Sequence, residues 1–126
     1  REIGTSWRQQ APQRSPALLY VCFRLRGGAG DVLAADGYIF AAPENLAALS
    51  GLMKDFFDRS YYPVLGRVNG RPYGLLICAG SDGANASRQA TRIATGWRLR
   101  AVAEPLIICT HAQTPEAILA PKIIVA

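Results

Sequence analysis

The stretch that decides the fold is Asp36–Tyr62, DGYIFAAPENLAALSGLMKDFFDRSYY. Within it, the β-rich run Gly37–Ala41 stops at the turn Pro43-Glu44-Asn45, and an amphipathic helical pattern follows at once. This order predicts a strand, a loop at its carboxyl end and a helix that folds back. In open α/β sheets, ligands bind at such loops.

The same pattern is repeated further along the chain. The apolar run Pro72–Ala79 precedes the loop Gly80-Ser81-Asp82-Gly83, after which a second helical pattern begins. A near-continuous apolar run indicates a strand that is buried on both faces, as in parallel sheets. Because both loops follow buried strands joined by a helical crossover, we predict that they lie side by side and share one crevice.

The rest of the chain continues this alternation of strands and helices. We predict strands over Ala17–Leu25, Tyr38–Ala41, Tyr73–Cys78 and Pro105–Thr110. A helical turn is predicted over Asp31–Ala35, a helix over Ala86–Arg100 and a short helix over Glu116–Ala120. A further helix, after the second strand, is predicted from its apolar face, which comprises Leu46, Leu49, Leu52, Met53, Phe56 and Phe57. Asn45 is the predicted N-cap of the first long helix. The alternation predicts a parallel α/β sheet with right-handed crossovers.

Composition and length limit the classes of protein to consider. The 126 residues are 50% hydrophobic and 18% charged, which predicts one globular domain. We place that domain at residues 17–126, after an irregular segment over residues 1–16. No apolar run approaches the length of a membrane span. The net charge of +5 favours a solvated basic surface over nucleic-acid binding, because no RNA- or DNA-binding motif accompanies it.

The cysteines and the single histidine give no sign of a metal site. Cys22, Cys78 and Cys109 are widely spaced and lie in or beside apolar runs, without a metal-binding spacing. Buried reduced thiols are the best interpretation, and they predict a cytoplasmic location. His111 follows the last strand, where a lone histidine is more often exposed than catalytic.

Three motifs together resemble a known family. The runs PEN-x3-LSG-x-MKDFFDR, LLICAGSDG and ATGWRLRAV-x-EP resemble the flavodoxin-like fold and, within it, the small FMN-binding, NAD(P)H-dependent flavin reductases. The resemblance covers Asp31 to Leu119. It implies a three-layer α/β sandwich with a mostly parallel sheet of four to five strands, in which the first strand and helix are reduced.

The resemblance also implies a cofactor and its site. In the family, FMN is held by three loops, and the two that flank the flavin ring correspond to residues 42–47 and 80–83. The implied cofactor-binding residues are Pro43, Glu44, Asn45, Leu46, Ala47, Gly80, Ser81, Asp82 and Gly83. NAD(P)H is the implied electron donor. The chemistry belongs to the flavin, so no side chain is assigned a catalytic role and no metal is implied.

This sequence departs from the family at several positions. The family's first strand, phosphate loop and first helix have no convincing counterpart. Thr5 and Ser6 have suitable hydroxyls for a phosphate loop, but only three residues precede Gly4. Ala42, Leu46 and Ala47 stand where the family usually has a hydroxyl, an aromatic residue and a glycine.

Other interpretations therefore stay open. Glu44 and Asp82 are explained equally well as turn or capping residues. The chain is either an FMN-dependent redox protein, a flavodoxin-like oxidoreductase that takes electrons from a nicotinamide, or a flavodoxin-like domain that has lost FMN and acts as an interaction or structural protein. Nucleic-acid binding is supported by charge alone.

The missing first strand predicts a compensation, because its loss leaves unpaired backbone groups on Tyr38–Ala41. In one arrangement Ala17–Leu25 takes the empty position, which gives four parallel strands in sequence order. In the other, a second chain lends a strand and a homodimer forms. We prefer the first arrangement, because Gly27–Asp36 is long enough for a short crossover.

Overall fold

A computed structural model describes residues 14–21 and 27–119 of the chain. Its elements are β1 (Leu18–Val21), α1 (Ala29–Ala34), β2 (Gly37–Asn45), β3 (Ala48–Leu49), α2 (Gly51–Val64), β4 (Pro72–Ala79), α3 (Ala84–Gly96), β5 (Arg100–Ala101), β6 (Leu106–Cys109) and α4 (Pro115–Ile118). The phosphate-loop candidates Thr5 and Ser6, the cysteine at position 22 and the tail from Ala120 lie outside the described residues.

The main strands of the sheet lie side by side in chain order. Strands β1, β2, β4 and β6 are all parallel to their neighbours. The two-residue β5 pairs with the beginning of β4, and β3 pairs antiparallel with the end of β2. The predicted α/β class and the mostly parallel sheet are therefore confirmed.

Strand β1 occupies the position beside β2 within the same chain. Leu18 lies opposite Gly37 and Val21 lies opposite Phe40. The short helix α1 makes the crossover between these strands, as the length of the Gly27–Asp36 segment predicts. This pairing confirms the preferred arrangement, so β2 needs no strand from a second chain on this side.

The helices α1, α2 and α3 pack on one face of the sheet. Because neighbouring strands are also consecutive in the chain, right-handed crossovers place all three helices on the same side. Phe40 of β2 lies near the centre of this core, with the Phe57 ring edge-on at 5.2 Å between centroids. Trp97 packs against Phe57 and donates its indole N–H to the carbonyl of Tyr61, which joins α3 to α2.

Alternate residues of the strands point away from these helices. Leu18, Tyr20 and Leu106 are 49%, 68% and 54% exposed. The described helices α1–α3 thus supply one helical layer of the predicted sandwich, and the opposite sheet face presents apolar side chains that these helices do not cover.

The region between β2 and α2 differs from its prediction. Strand β2 continues through Asn45, where the sequence predicted a loop, and turns back into β3, so Asn45 does not cap a helix. The N-cap is Ser50, whose hydroxyl accepts a hydrogen bond from the N–H of Met53. The apolar spacing misplaced this helix start because Leu49 is buried as a strand residue and not as a helical one.

The second long helix also has different bounds. Helix α3 begins at Ala84 and ends at Gly96, four residues before the predicted end at Arg100. Arg98 adopts a left-handed conformation with φ of 57°, which stops the helix, and Arg100 then enters β5. Pairing with β4 therefore overrides the helical pattern at this end.

Candidate functional site

The two loops predicted to share a crevice lie side by side at the carboxyl edge of the sheet. Pro43 of β2 lies opposite Cys78 of β4 in the parallel register. One residue beyond Pro43, the carboxylate of Glu44 accepts a hydrogen bond from the main-chain N–H of Gly83 across 2.8 Å. The predicted adjacency of the loops is confirmed, and a direct hydrogen bond joins them.

Leu46 and Ala47 form the tip of the hairpin between β2 and β3. Both residues have positive φ, 50° and 61°, which is unfavourable for residues other than glycine. The tip is held by α3, because the Asn85 amide donates to the Ala47 carbonyl and the Gln89 side chain accepts from the Leu49 N–H, each across 2.8 Å. The strain at Leu46 and Ala47 therefore persists in a hairpin whose position is fixed by the neighbouring helix.

The loop before α3 contains one glycine that the backbone requires and one that leaves open space. Gly83 has a φ of +80°, and a Cβ there would lie 2.6 Å from the Ile107 side chain. At Gly80, by contrast, no heavy atom lies within 4 Å of such a Cβ. Ser81 and Asp82 between them are exposed. The backbone conformation of the loop thus requires a glycine at position 83. At position 80 the glycine instead leaves open space beside the loop.

A third segment closes the outer side of this edge, and only its histidine was considered in the sequence. The N–H of His111 donates to the carbonyl of Gly80 across 2.8 Å. Together with Ser81, Ala112 and Gln113, these residues line a small cavity of about 210 Å³. His111 is exposed, as predicted. The position of this segment directly after the last strand was the only signal for its place at the edge.

The residues of these two loops fit the ring of a flavin better than its phosphate. The open space over Gly80, the hairpin tip and the exposed Ser81 and Asp82 suit a flat, polar-edged ring. The Gly83 N–H is already bonded to Glu44 and so is not free for a ligand. Neither loop contains a lysine or arginine for a phosphate.

Residues 14–21 and 27–119 contain neither a cluster of metal ligands nor a membrane-spanning helix. In this part of the chain, histidine, cysteine and carboxylate side chains nowhere gather in threes as a metal ion would need. The helices described there are too short or too polar to cross a membrane.

Comparisons with known proteins support the fold and the family. The family described as NADPH-dependent FMN reductase matches residues 29–113, which is more than half of the chain. A crystal structure of a flavodoxin, a WrbA-like protein from Agrobacterium tumefaciens, is similar with a TM-score of 0.57 and 18% sequence identity. The match covers 70% of this chain and 60% of that one. No curated protein matches the chain.

Proposed function

Because the chain belongs to the NADPH-dependent FMN reductase family, we propose that it binds FMN and transfers electrons to it from a nicotinamide. The observation that carries this proposal is the pair of adjacent loops joined by the bond between Glu44 and Gly83. The chain spans 60% of the length of the similar solved structure, so the activity is proposed and rests on this site.

In this proposal the flavin ring lies over the hairpin Pro43–Ala47 and the loop Gly80–Gly83. Gly80 gives the ring close access to the backbone, and Ser81 and Asp82 supply hydrogen-bonding groups at its edge. Glu44 holds the two loops at a fixed separation and so orients the ring. Bound FMN would supply the hydride-accepting chemistry, and the protein's part is to bind it, orient it and tune its electrostatics.

The proposal also covers the domain, the cellular location and the oligomeric state of the protein. Residues 17–126 act as one domain in the cytoplasm. A homodimer is part of the proposal, and it is supported by exposed apolar side chains on the open sheet face, Leu18 and Tyr20 on β1 and Leu106 on β6.

The test is a titration of the purified protein with FMN, followed by anaerobic addition of NADPH. We expect a perturbed flavin spectrum on binding and loss of visible absorbance on reduction. Gly80→Trp fills the open space over the loop and should abolish binding while leaving the melting temperature unchanged. Gly30→Trp is the matched control, because Gly30 also has no heavy atom within 4 Å of a Cβ but lies in α1.

A second candidate is a domain of this fold that no longer binds flavin and serves as an interaction or structural protein. It is favoured by the chain-order arrangement of β1, β2, β4 and β6, which lacks the reversal of strand order where such crevices form. A wild-type protein that leaves the FMN spectrum unchanged at high concentration would decide for this second candidate.

A further inference from the structure

A groove runs along α3, between that helix and the segment around β6. It has a volume of about 430 Å³. Its helical wall carries two arginines one turn apart, Arg88 and Arg92, together with the hydroxyl residues Ser87 and Thr91. Both arginines are exposed, while Ser87 is only 8% exposed.

The two arginines have no carboxylate partner among the described residues. The ion pairs in this part of the chain join Arg14 to Asp36, Lys54 to Asp58 and Arg59 to Asp55. Like charges four residues apart on a helix repel each other. An anion between Arg88 and Arg92 would turn this repulsion into two attractive contacts.

We infer that this groove binds a phosphate monoester, with Arg88 and Arg92 bonding to its oxygens. A phosphate monoester carries up to two negative charges and three acceptor oxygens, and the planar guanidinium matches this geometry with paired N–H donors. The hydroxyls of Ser87 and Thr91, on the same wall, supply further donors. The site therefore has both the charge and the hydrogen-bond donors that a phosphate needs.

The residues of the opposite wall indicate which other chemical groups the ligand carries. Pro105 and Ile107 are apolar and suit the flat face of a ring or a sugar. Glu104 is exposed on the same wall and would repel the phosphate itself. A carboxylate is, however, the usual acceptor for sugar hydroxyls in nucleotide sites. A ligand with a phosphate, hydroxyls and a ring, that is a nucleotide, satisfies both walls.

The groove is close to the loops of the proposed flavin site. The Arg88 guanidinium donates to the Asn85 side chain across 2.7 Å, and Asn85 donates to Ala47 at the hairpin tip across 2.8 Å. Along the helix, Arg88 and Arg92 lie about 6 Å and about 12 Å from Ala84, the first residue after the Gly80–Gly83 loop. On the basis of the proposed function, the phosphate comes either from FMN itself or from the 2′-phosphate of NADPH.

The test compares ligands with and without the phosphate. Binding of FMN and riboflavin, and of NADP⁺ and NAD⁺, is measured for the wild type, for Arg88→Gln/Arg92→Gln and for Arg67→Gln. Arg67 is an exposed arginine in the loop after α2 and serves as the control. Because charge-assisted hydrogen bonds are lost, we expect the double variant to bind the phosphorylated member of one pair at least about tenfold more weakly. The affinity of the double variant for the member of that pair without the phosphate, riboflavin or NAD⁺, should not change.

The outcomes separate the sources of the phosphate and the two proposals. A change confined to the FMN pair assigns the groove to the flavin phosphate, and a change confined to the nicotinamide pair assigns it to NADPH. If the wild type binds the two members of each pair with equal affinity, the inference is overturned. It is also overturned if Arg67→Gln weakens binding as much as the double variant does. If the wild type binds neither flavin nor nicotinamide, the proposed function fails, and a titration with 2′,5′-ADP tests the groove by itself. No difference between wild type and double variant in that titration would overturn it.

Discussion

The carboxylate of Glu44 at the end of β2 accepts a hydrogen bond from the main-chain N–H of Gly83, the residue before α3, across 2.8 Å. Glu44 is half-buried, so its contact with this N–H is less screened by water than a surface ion pair. The bond connects two crossover units that are 39 residues apart in the chain. It joins the two loops of the proposed flavin site directly.

We expect Glu44→Ala to lower the free energy of unfolding by about 1.5–3 kcal/mol, because a charge-assisted hydrogen bond is lost and the Gly83 N–H is left without its partner. Glu44→Gln keeps an acceptor oxygen and should cost less. Urea denaturation of the three proteins measures both effects. Equal stability of the wild type and Glu44→Ala would mean that this bond does not hold the loops together.

The two glycines of the loop before α3 should respond differently to the same substitution. Gly83→Ala introduces a Cβ 2.6 Å from Ile107 at a φ of +80°, and we expect it to cost about 1–3 kcal/mol. Gly80→Ala meets open space and serves as the matched control, with a change of less than about 0.5 kcal/mol. Thermal unfolding compares them, and similar losses at both positions would contradict the description of the loop.

Ser60 in α2 has a buried hydroxyl without a hydrogen-bond partner among the described residues. Ser60→Ala removes this unsatisfied group and raises the helix propensity, so we expect a gain in stability of about 1 kcal/mol. Chemical denaturation measures the gain. A loss of stability would show instead that the hydroxyl bonds to a carbonyl of the preceding turn.

Tyr38 should make the protein sensitive to alkaline pH. Burial raises the pKa of its phenol above the ordinary value of 10.0, and the nearby Arg71 opposes this only in part. The folded state therefore keeps a proton that the unfolded state releases. This contribution to stability is fully present below pH 10.0 and is lost as the pH rises through the raised pKa of the folded state.

The variant Tyr38→Phe should lose less stability than the wild type between neutral and alkaline pH. At neutral pH it should itself be less stable by about 1 kcal/mol, because the hydroxyl no longer donates to the Val32 carbonyl. Tyr62→Phe removes a tyrosine that is 79% exposed and is the control. Denaturation at several pH values checks the slopes, and parallel curves for wild type and Tyr38→Phe would contradict the assignment.

Much of the sheet could be predicted from the sequence because its strands carry local signals. Tyr73–Cys78 is apolar at nearly every position, which fits a buried strand, and the glycine-rich loop after it indicated the carboxyl edge. The short segment Gly27–Asp36 limited how far β1 could lie from β2. These features depend on residues close together in the chain, so pattern and spacing were sufficient to place Glu44 and Gly83 at the same edge.

Only the tertiary structure decided the features that depend on contacts between distant segments. Asn45 has the side chain of a helix cap, yet β2 extends through it because pairing with β3 and support from Asn85 and Gln89 favour the hairpin. The Arg88 and Arg92 groove likewise needs the segment around β6 as its second wall. The sequence by itself determined the class of fold and the edge that carries the site. The hairpin, the bond between Glu44 and Gly83 and the groove arise from packing between residues far apart in the chain, which local periodicity does not encode.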